Sequence, residues 1–205
     1  MPLPQLSLAK PGETPKKLSL NLNKGSKFSI SLWWDSEHDL DGHALLATNQ
    51  GNGAKVSAFE QVLSTYNCHK TNPLGMLPVN ADGKSFNTPE GALHHSGDAR
   101  DGRNSDIDEI ITIDGGKMPA GVNEVPIFIT IHPSKSAKFS LVRQAGIRIN
   151  DDSGKMLAEY ELSNQFGEFD AVQMGSVVLG ANGWEYLPVG VGFNGDFNMI
   201  LDNFS

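Results

Sequence analysis

Apolar and polar side chains alternate through Leu18-Ser19-Leu20-Asn21-Leu22, the pattern of a half-buried β-strand. A second run sets Phe28, Ile30 and Leu32 against Lys27, Ser29 and Ser31, and ends at Trp33-Trp34-Asp35. With Lys24-Gly25 between them, the two runs predict a hairpin. His43 to Thr48 reads as another strand, closed by the turn-forming Asn49-Gln50-Gly51-Asn52-Gly53. Ile, Val and Phe dominate 110–114, 125–132 and 141–150, as in buried strands. After the hairpin-type turn Asp151-Asp152-Ser153-Gly154, alternation returns over 156–162 and puts Met156, Ala158, Tyr160 and Leu162 on one face. Residues 177–179 and 184–193 predict a last strand pair turning through Gly180-Ala181-Asn182-Gly183, and 197–204 have helical spacing.

Two stretches lack a period. Pro2, Pro4, Pro11 and Pro15 make residues 1–15 a flexible lead-in. From about Lys55 to Leu93, with Pro73, Pro78 and Pro89, the chain predicts a long surface excursion, of which about 63–93 is a loop insertion. Many short strands between Gly-rich turns, with 22 Gly in 205 residues, predict a mainly β fold for 16–205. The expected architecture is one domain, a two-sheet β-sandwich with a few short helices.

Composition narrows the function. A net charge of −8 argues against a nucleic-acid or anionic-membrane surface. Cys68 is the single cysteine, which excludes an internal disulfide and a Cys-rich zinc site and fits a plain thiol in a reducing cytoplasm. No segment approaches the roughly 20 apolar residues of a membrane span, so direct membrane insertion is not expected, and residues 1–17 have no signal-peptide run.

The chemistry concentrates in seven acidic side chains on two stretches. Asp39 and Asp41 occupy alternate positions, so in an extended segment they face the same side, about 7 Å apart. Asp98, Asp101, Asp106, Asp108 and Glu109 follow in the second stretch, the last three directly before Ile110-Ile111. Carboxylates gathered by a fold repel one another and call for a cation, and oxygen-only ligands favour Ca²⁺ first and Mg²⁺ second. Asp98 and Glu109 have the separation of the first and last EF-hand ligands, but Arg100 and Arg103 stand at the third and sixth loop positions, which excludes that motif. The adjacent His94 and His95 point opposite ways in a strand and read as structural. Two other uses stay open: a hydrolase whose acidic pair works beside Trp33, Trp34 or Trp184, and an interaction module without metal.

Five ordered pieces resemble the TerD-like tellurite-resistance and stress-response family. They are Leu22-Asn23-Lys24-Gly25; Trp34-Asp35 with Asp39-Leu40-Asp41; His95-Ser96-Gly97-Asp98 through Gly102 to Asp108-Glu109; Ile129-Thr130-Ile131-His132 with Ile147-Arg148-Ile149; and Gly183-Trp184 with Val189-Gly190-Val191-Gly192. The resemblance covers about 16–205 and implies a β-sandwich that binds Ca²⁺ through acidic loops and has no catalytic activity. It implies a cytoplasmic protein that works with other stress-response proteins and membrane-associated complexes. The family's metal-loop pattern falls on Asp39, Asp41, Asp98, Asp108 and Glu109, with Gly97 and Gly102 at its turns. The chain departs from that pattern at Ala99, where an Asn is usual, at Asp101, where a Thr is common, and at Ile107, which enters the Gly-Asp-Asp-Glu ending.

Overall fold

The computed structural model describes residues 8–9, 12–103, 106–134, 136–162, 164–195 and 197–205. Its strands, in chain order, are β1 (Leu18–Leu22), β2 (Lys27–Trp34), β3 (Leu40–Leu45), β4 (Thr48–Asn49), β5 (Ala54–Lys55), β6 (Val62–Leu63), β7 (Phe86–Asn87) and β8 (Leu93–His95). They continue as β9 (Glu109–Asp114), β10 (Glu124–Ile131), β11 (Ala145–Asp151), β12 (Met156–Glu161), β13 (Ala171–Gly180), β14 (Gly183–Leu187) and β15 (Val191–Phe193). A short helix, α1 (Phe197–Leu201), follows.

Two large antiparallel sheets face each other. One runs β1-β14-β13-β10-β3-β6, with β15 also paired to β13; the other runs β12-β11-β2-β9-β8-β7. Period-two alternation builds the core between them. Phe28, Ile30, Leu32, Ile111, Ile113, Ile147 and Ile149 point inward from the second sheet, against Val125, Ile127, Ile129, Val172, Met174 and Val177 of the first. Each such side chain contributes on the order of 1.5–3 kcal/mol when fully buried. β10 is buried at all eight positions because α1 covers the outer face of its sheet. There Phe128 packs against Phe197 and Phe204. The sandwich with few helices is as expected.

The hairpin expected between the first two strands does not form. β1 pairs with β14, matching Leu22 to Trp184, whereas β2 lies between β11 and β9 in the opposite sheet. The Lys24-Gly25 turn therefore carries the chain across the sandwich, and the Trp184 indole N–H fastens it by donating to the Lys24 carbonyl at 3.0 Å. The last strand pair does form, with Gly180 opposite Gly183. It begins earlier than the Val and Leu run suggested, at Ala171, and its second strand stops at Leu187 before Pro188, which has no N–H for the ladder.

The surface excursion expected over 55–93 is also corrected. Leu63, Cys68, Leu77 and Phe86 are buried, and β6 and β7 sit at the edges of opposite sheets. The segment spans from one sheet edge to the other and closes that side of the sandwich. Backbone-directed side chains replace periodic strands in holding it. Asn67 donates to the carbonyls of Phe59 and Val62 and accepts from the Met76 N–H. Near the chain start, Leu8 is buried and Ala9 pairs with Val189.

Candidate metal centre

Asp41 lies within β3, opposite Thr130 of β10, and Asp39 immediately precedes that strand. Asp98 follows β8, one residue beyond Gly97. Gly97 has φ +110°, and a Cβ there would approach the Lys84 carbonyl oxygen to 3.0 Å, so the turn that aims Asp98 requires glycine. These elements bring one carboxylate oxygen each from Asp39, Asp41 and Asp98 within 4.8 Å of one another. At that separation each pair of charges repels by roughly 3 kcal/mol at an effective dielectric near 20. Arg100 donates to Asp98 Oδ2 at 3.2 Å, but its side chain is 77% exposed, so solvent screens most of its compensation. Asp39 Oδ1 is buried without a hydrogen-bond partner.

Asp41 is 1% exposed and held from the 62–95 segment. Thr65 donates to its Oδ1 at 2.8 Å and Tyr66 to its Oδ2 at 2.9 Å. Burial pushes this carboxyl up to about 7; the nearby Glu109 charge adds to the rise, and the two hydroxyl donors oppose it. Asp39 is raised in the same sense, by burial first and then by Asp98.

Glu109, the first residue of β9, is fully buried and holds the two acidic segments together. Its Oε2 accepts the Gly42 N–H at 2.8 Å, next to Asp41, and its Oε1 accepts the Ala99 N–H at 3.2 Å, next to Asp98. The first bond crosses between the sheets. It needs glycine at 42, because a Cβ would meet Leu32 Cδ2 at 2.7 Å and Glu109 Oε2 at 3.2 Å. His95 fixes the other flank of Asp98, where its Nδ1 accepts the Gly97 N–H at 3.0 Å. That bond places the proton of a neutral ring on Nε2, which lies 3.3 Å from Glu109 Oε2 but off the line of a hydrogen bond. Phe86 stacks on the same ring at 4.7 Å.

The remaining sequence candidates lie elsewhere. Asp108 Oδ2 accepts the Trp34 N–H at 2.8 Å. Asp101 is exposed and takes the Arg103 guanidinium. Asp106 is exposed, and its carbonyl accepts from Arg148 at 3.2 Å. Thr65, Tyr66 and the positioning role of His95 were not apparent from the sequence. Thr65 and Tyr66 fall in the aperiodic stretch, where no pattern marks which side chains turn inward.

The raised Asp41 carboxyl gives the metal-free protein a definite pH dependence. Its folded-state value, about 7, exceeds the unfolded 3.8, so the folded chain binds this proton more tightly. The stability that this supplies is complete below about pH 4 and is lost as pH rises through about 7, at most on the order of 4 kcal/mol. With chelator present, the thermal midpoint is expected to fall by roughly 5–10 °C between about pH 5 and 7.5. Asp41→Asn should flatten that slope in a thermal scan series, and an equal slope in the variant would contradict the assignment.

The three carboxylates form one end of an open cleft of about 970 Å³. Residues 84–204 match the family model described as the TerD domain. Over 182 residues the chain is 28% identical to the uncharacterized protein YceE of Bacillus subtilis, covering 87% of this chain and 88% of that protein. It is 26% identical over 208 residues to tellurium resistance protein TerD of Serratia marcescens, covering 91% and 97%. It is 29% identical over 117 residues to chemical-damaging agent resistance protein B of Clostridium acetobutylicum, covering 56% and 84%. Two solved structures share the fold. A protein of unknown function, SAV2460, has a TM-score of 0.64 at 18% identity, covering 87% of this chain and 96% of that one. A homologue of telluride resistance protein from Streptomyces coelicolor has a TM-score of 0.61 at 16% identity, covering 86% and 95%. With more than half of its length matched by the family model, the chain belongs to the TerD domain family of tellurium-resistance and chemical-stress proteins.

Proposed function

We propose that the protein is a calcium-binding stress protein that works by presenting a cation-ordered face to partner proteins and catalyses no reaction. The observation that carries this reading is the convergence of Asp39, Asp41 and Asp98, which bring oxygens within 4.8 Å of one another, with Asp39 Oδ1 buried and without a partner among the described residues. An all-oxygen donor set suits Ca²⁺ before Mg²⁺, because calcium accepts six to eight oxygens in flexible geometry. Asp39, Asp41 and Asp98 would hold the ion, which would neutralise their repulsion and stiffen the loops that carry them.

A hydrolytic use of the same carboxylates has less support. Glycosidase pairs stand roughly 5–9.5 Å apart, whereas oxygens of Asp39, Asp41 and Asp98 lie within 4.8 Å of one another. Two of the three tryptophans considered as a sugar platform, Trp34 and Trp184, are core residues. Among the described residues no helix is long and apolar enough to cross a membrane. Work in a reducing cytoplasm beside membrane-associated and other stress-response proteins is part of the proposal.

Calorimetric titration of chelator-stripped protein tests the metal. Ca²⁺ is expected to bind in the sensor range, roughly 10⁻⁷ to 10⁻⁵ M, and Mg²⁺ more weakly. No heat up to about 1 mM Ca²⁺ would end this reading.

A further inference from the structure

The cleft is far larger than one ion needs. Its volume of about 970 Å³ lies at the upper end of the range for small-molecule sites, roughly 300–1,000 Å³. Both of its cationic side chains are already paired. Lys138 donates to Asp170 and Asn194 at 2.6 Å each, and Arg100 is paired with Asp98. A divalent ion at Asp39, Asp41 and Asp98 would then leave no net positive charge among the described lining residues, and Glu109 behind them adds a negative one. Such a cleft has no general attraction for anions.

The rest of the wall mixes apolar side chains, Ile131, Pro133, Ala137 and Phe197, with neutral hydrogen-bonding ones. Ser136 and Asn198 are exposed side chains on the lining, which also includes Thr71 and Thr130. The Tyr66 and His132 rings also line it, tilted against each other with centroids 6.0 Å apart. Neutral donors and acceptors beside flat apolar faces suit a molecule that carries many hydroxyls on a carbon ring. A cation held by three side chains on one side has coordination positions left for oxygens from the open side.

We propose that the cleft binds a sugar or cyclic polyol, two of whose hydroxyls complete the shell of a cation held by Asp39, Asp41 and Asp98. Ser136 and Asn198 bond further hydroxyls, and Tyr66 and His132 face the ring. The inference rests on the calcium reading above and extends it from an ion site to an ion-bridged ligand site.

Calorimetry and ligand-observed NMR with methyl glycosides and myo-inositol test it, using full-length protein in calcium and in chelator. Calcium alone is titrated first, and an absence of heat at that stage sinks the reading beneath and the inference with it. Given calcium heat, at least one polyol is expected to bind at least about tenfold more tightly with calcium than in chelator, a difference of about 1.4 kcal/mol. Ser136→Trp, which fills the cleft from an exposed lining position, should abolish the polyol signal and leave the calcium isotherm unchanged. Calcium binding with no polyol signal overturns the inference alone, as does polyol binding indifferent to chelator. Preferential binding of inorganic phosphate would also overturn it, in favour of an anion.

Discussion

Glu109→Ala is expected to lower the unfolding free energy of the metal-free protein by about 3–5 kcal/mol, or roughly 6–20 °C in thermal midpoint. Two backbone N–H groups, of Gly42 and Ala99, lose their acceptor in a fully buried site. Each unsatisfied donor costs about 1–3 kcal/mol, and the vacated volume adds to that. Relief of repulsion with Asp41 offsets part of the loss, since the Glu109 charge helps to raise that carboxyl. Glu109→Gln should cost about half as much, because its amide can accept only one of the two bonds. The experiment also separates two roles for this side chain. If Glu109 holds the loops, the alanine variant loses stability without metal and weakens calcium binding as a result. If it acts only as a ligand, calcium binding falls and denaturant unfolding of the metal-free protein does not change.

Asp98→Asn should produce the opposite signature. Calcium affinity is expected to fall at least about a hundredfold, close to 2.7 kcal/mol. The metal-free protein should become slightly more stable, because one of three mutually repelling charges is removed and the Arg100 pair that it loses is solvent-screened. A thermal scan with and without calcium reads both effects together. A midpoint raised in chelator and unmoved by calcium supports the three-carboxylate centre. A variant whose midpoint rises with calcium as much as the parent's places the ion elsewhere.

How far these features could be read from sequence depends on the range of the interactions. The inward sets of β2, β9 and β10 follow from period-two alternation and apolar runs, which are local. Their neighbours do not follow. Leu18-to-Leu22 and Lys27-to-Trp34 alternate just as hairpin partners would, yet the partner of Leu22 is Trp184, placed opposite it by packing across the whole chain. Residues 55–93 escaped reading because two-residue strands and 3-10 turns have no period, and Asn67 does the work that a ladder would do.

The candidate centre divides in the same way. Asp39 and Asp41 were expected to face one side, and each contributes an oxygen to the cluster. Asp98 joins them through the turn at Gly97. Asp101 and Asp108 lie in the same stretch, but other partners take their carboxylates, the Arg103 guanidinium two residues on and the Trp34 N–H from the neighbouring strand β2. Spacing along a loop does not determine which way a side chain turns.

The stretch from Val62 to His95 looks expendable on paper, yet it delivers the two hydroxyls that keep Asp41 more acidic than burial alone would leave it. Thr65→Val with Tyr66→Phe would strip those donors away while keeping the carboxyl covered, and would move its protonation midpoint further from its unfolded value. Variation at these two positions would thus act as a dial on the acidity at which the proposed site begins to take up a cation. Relatives with identical aspartates but without these two hydroxyls should load calcium in a different pH range.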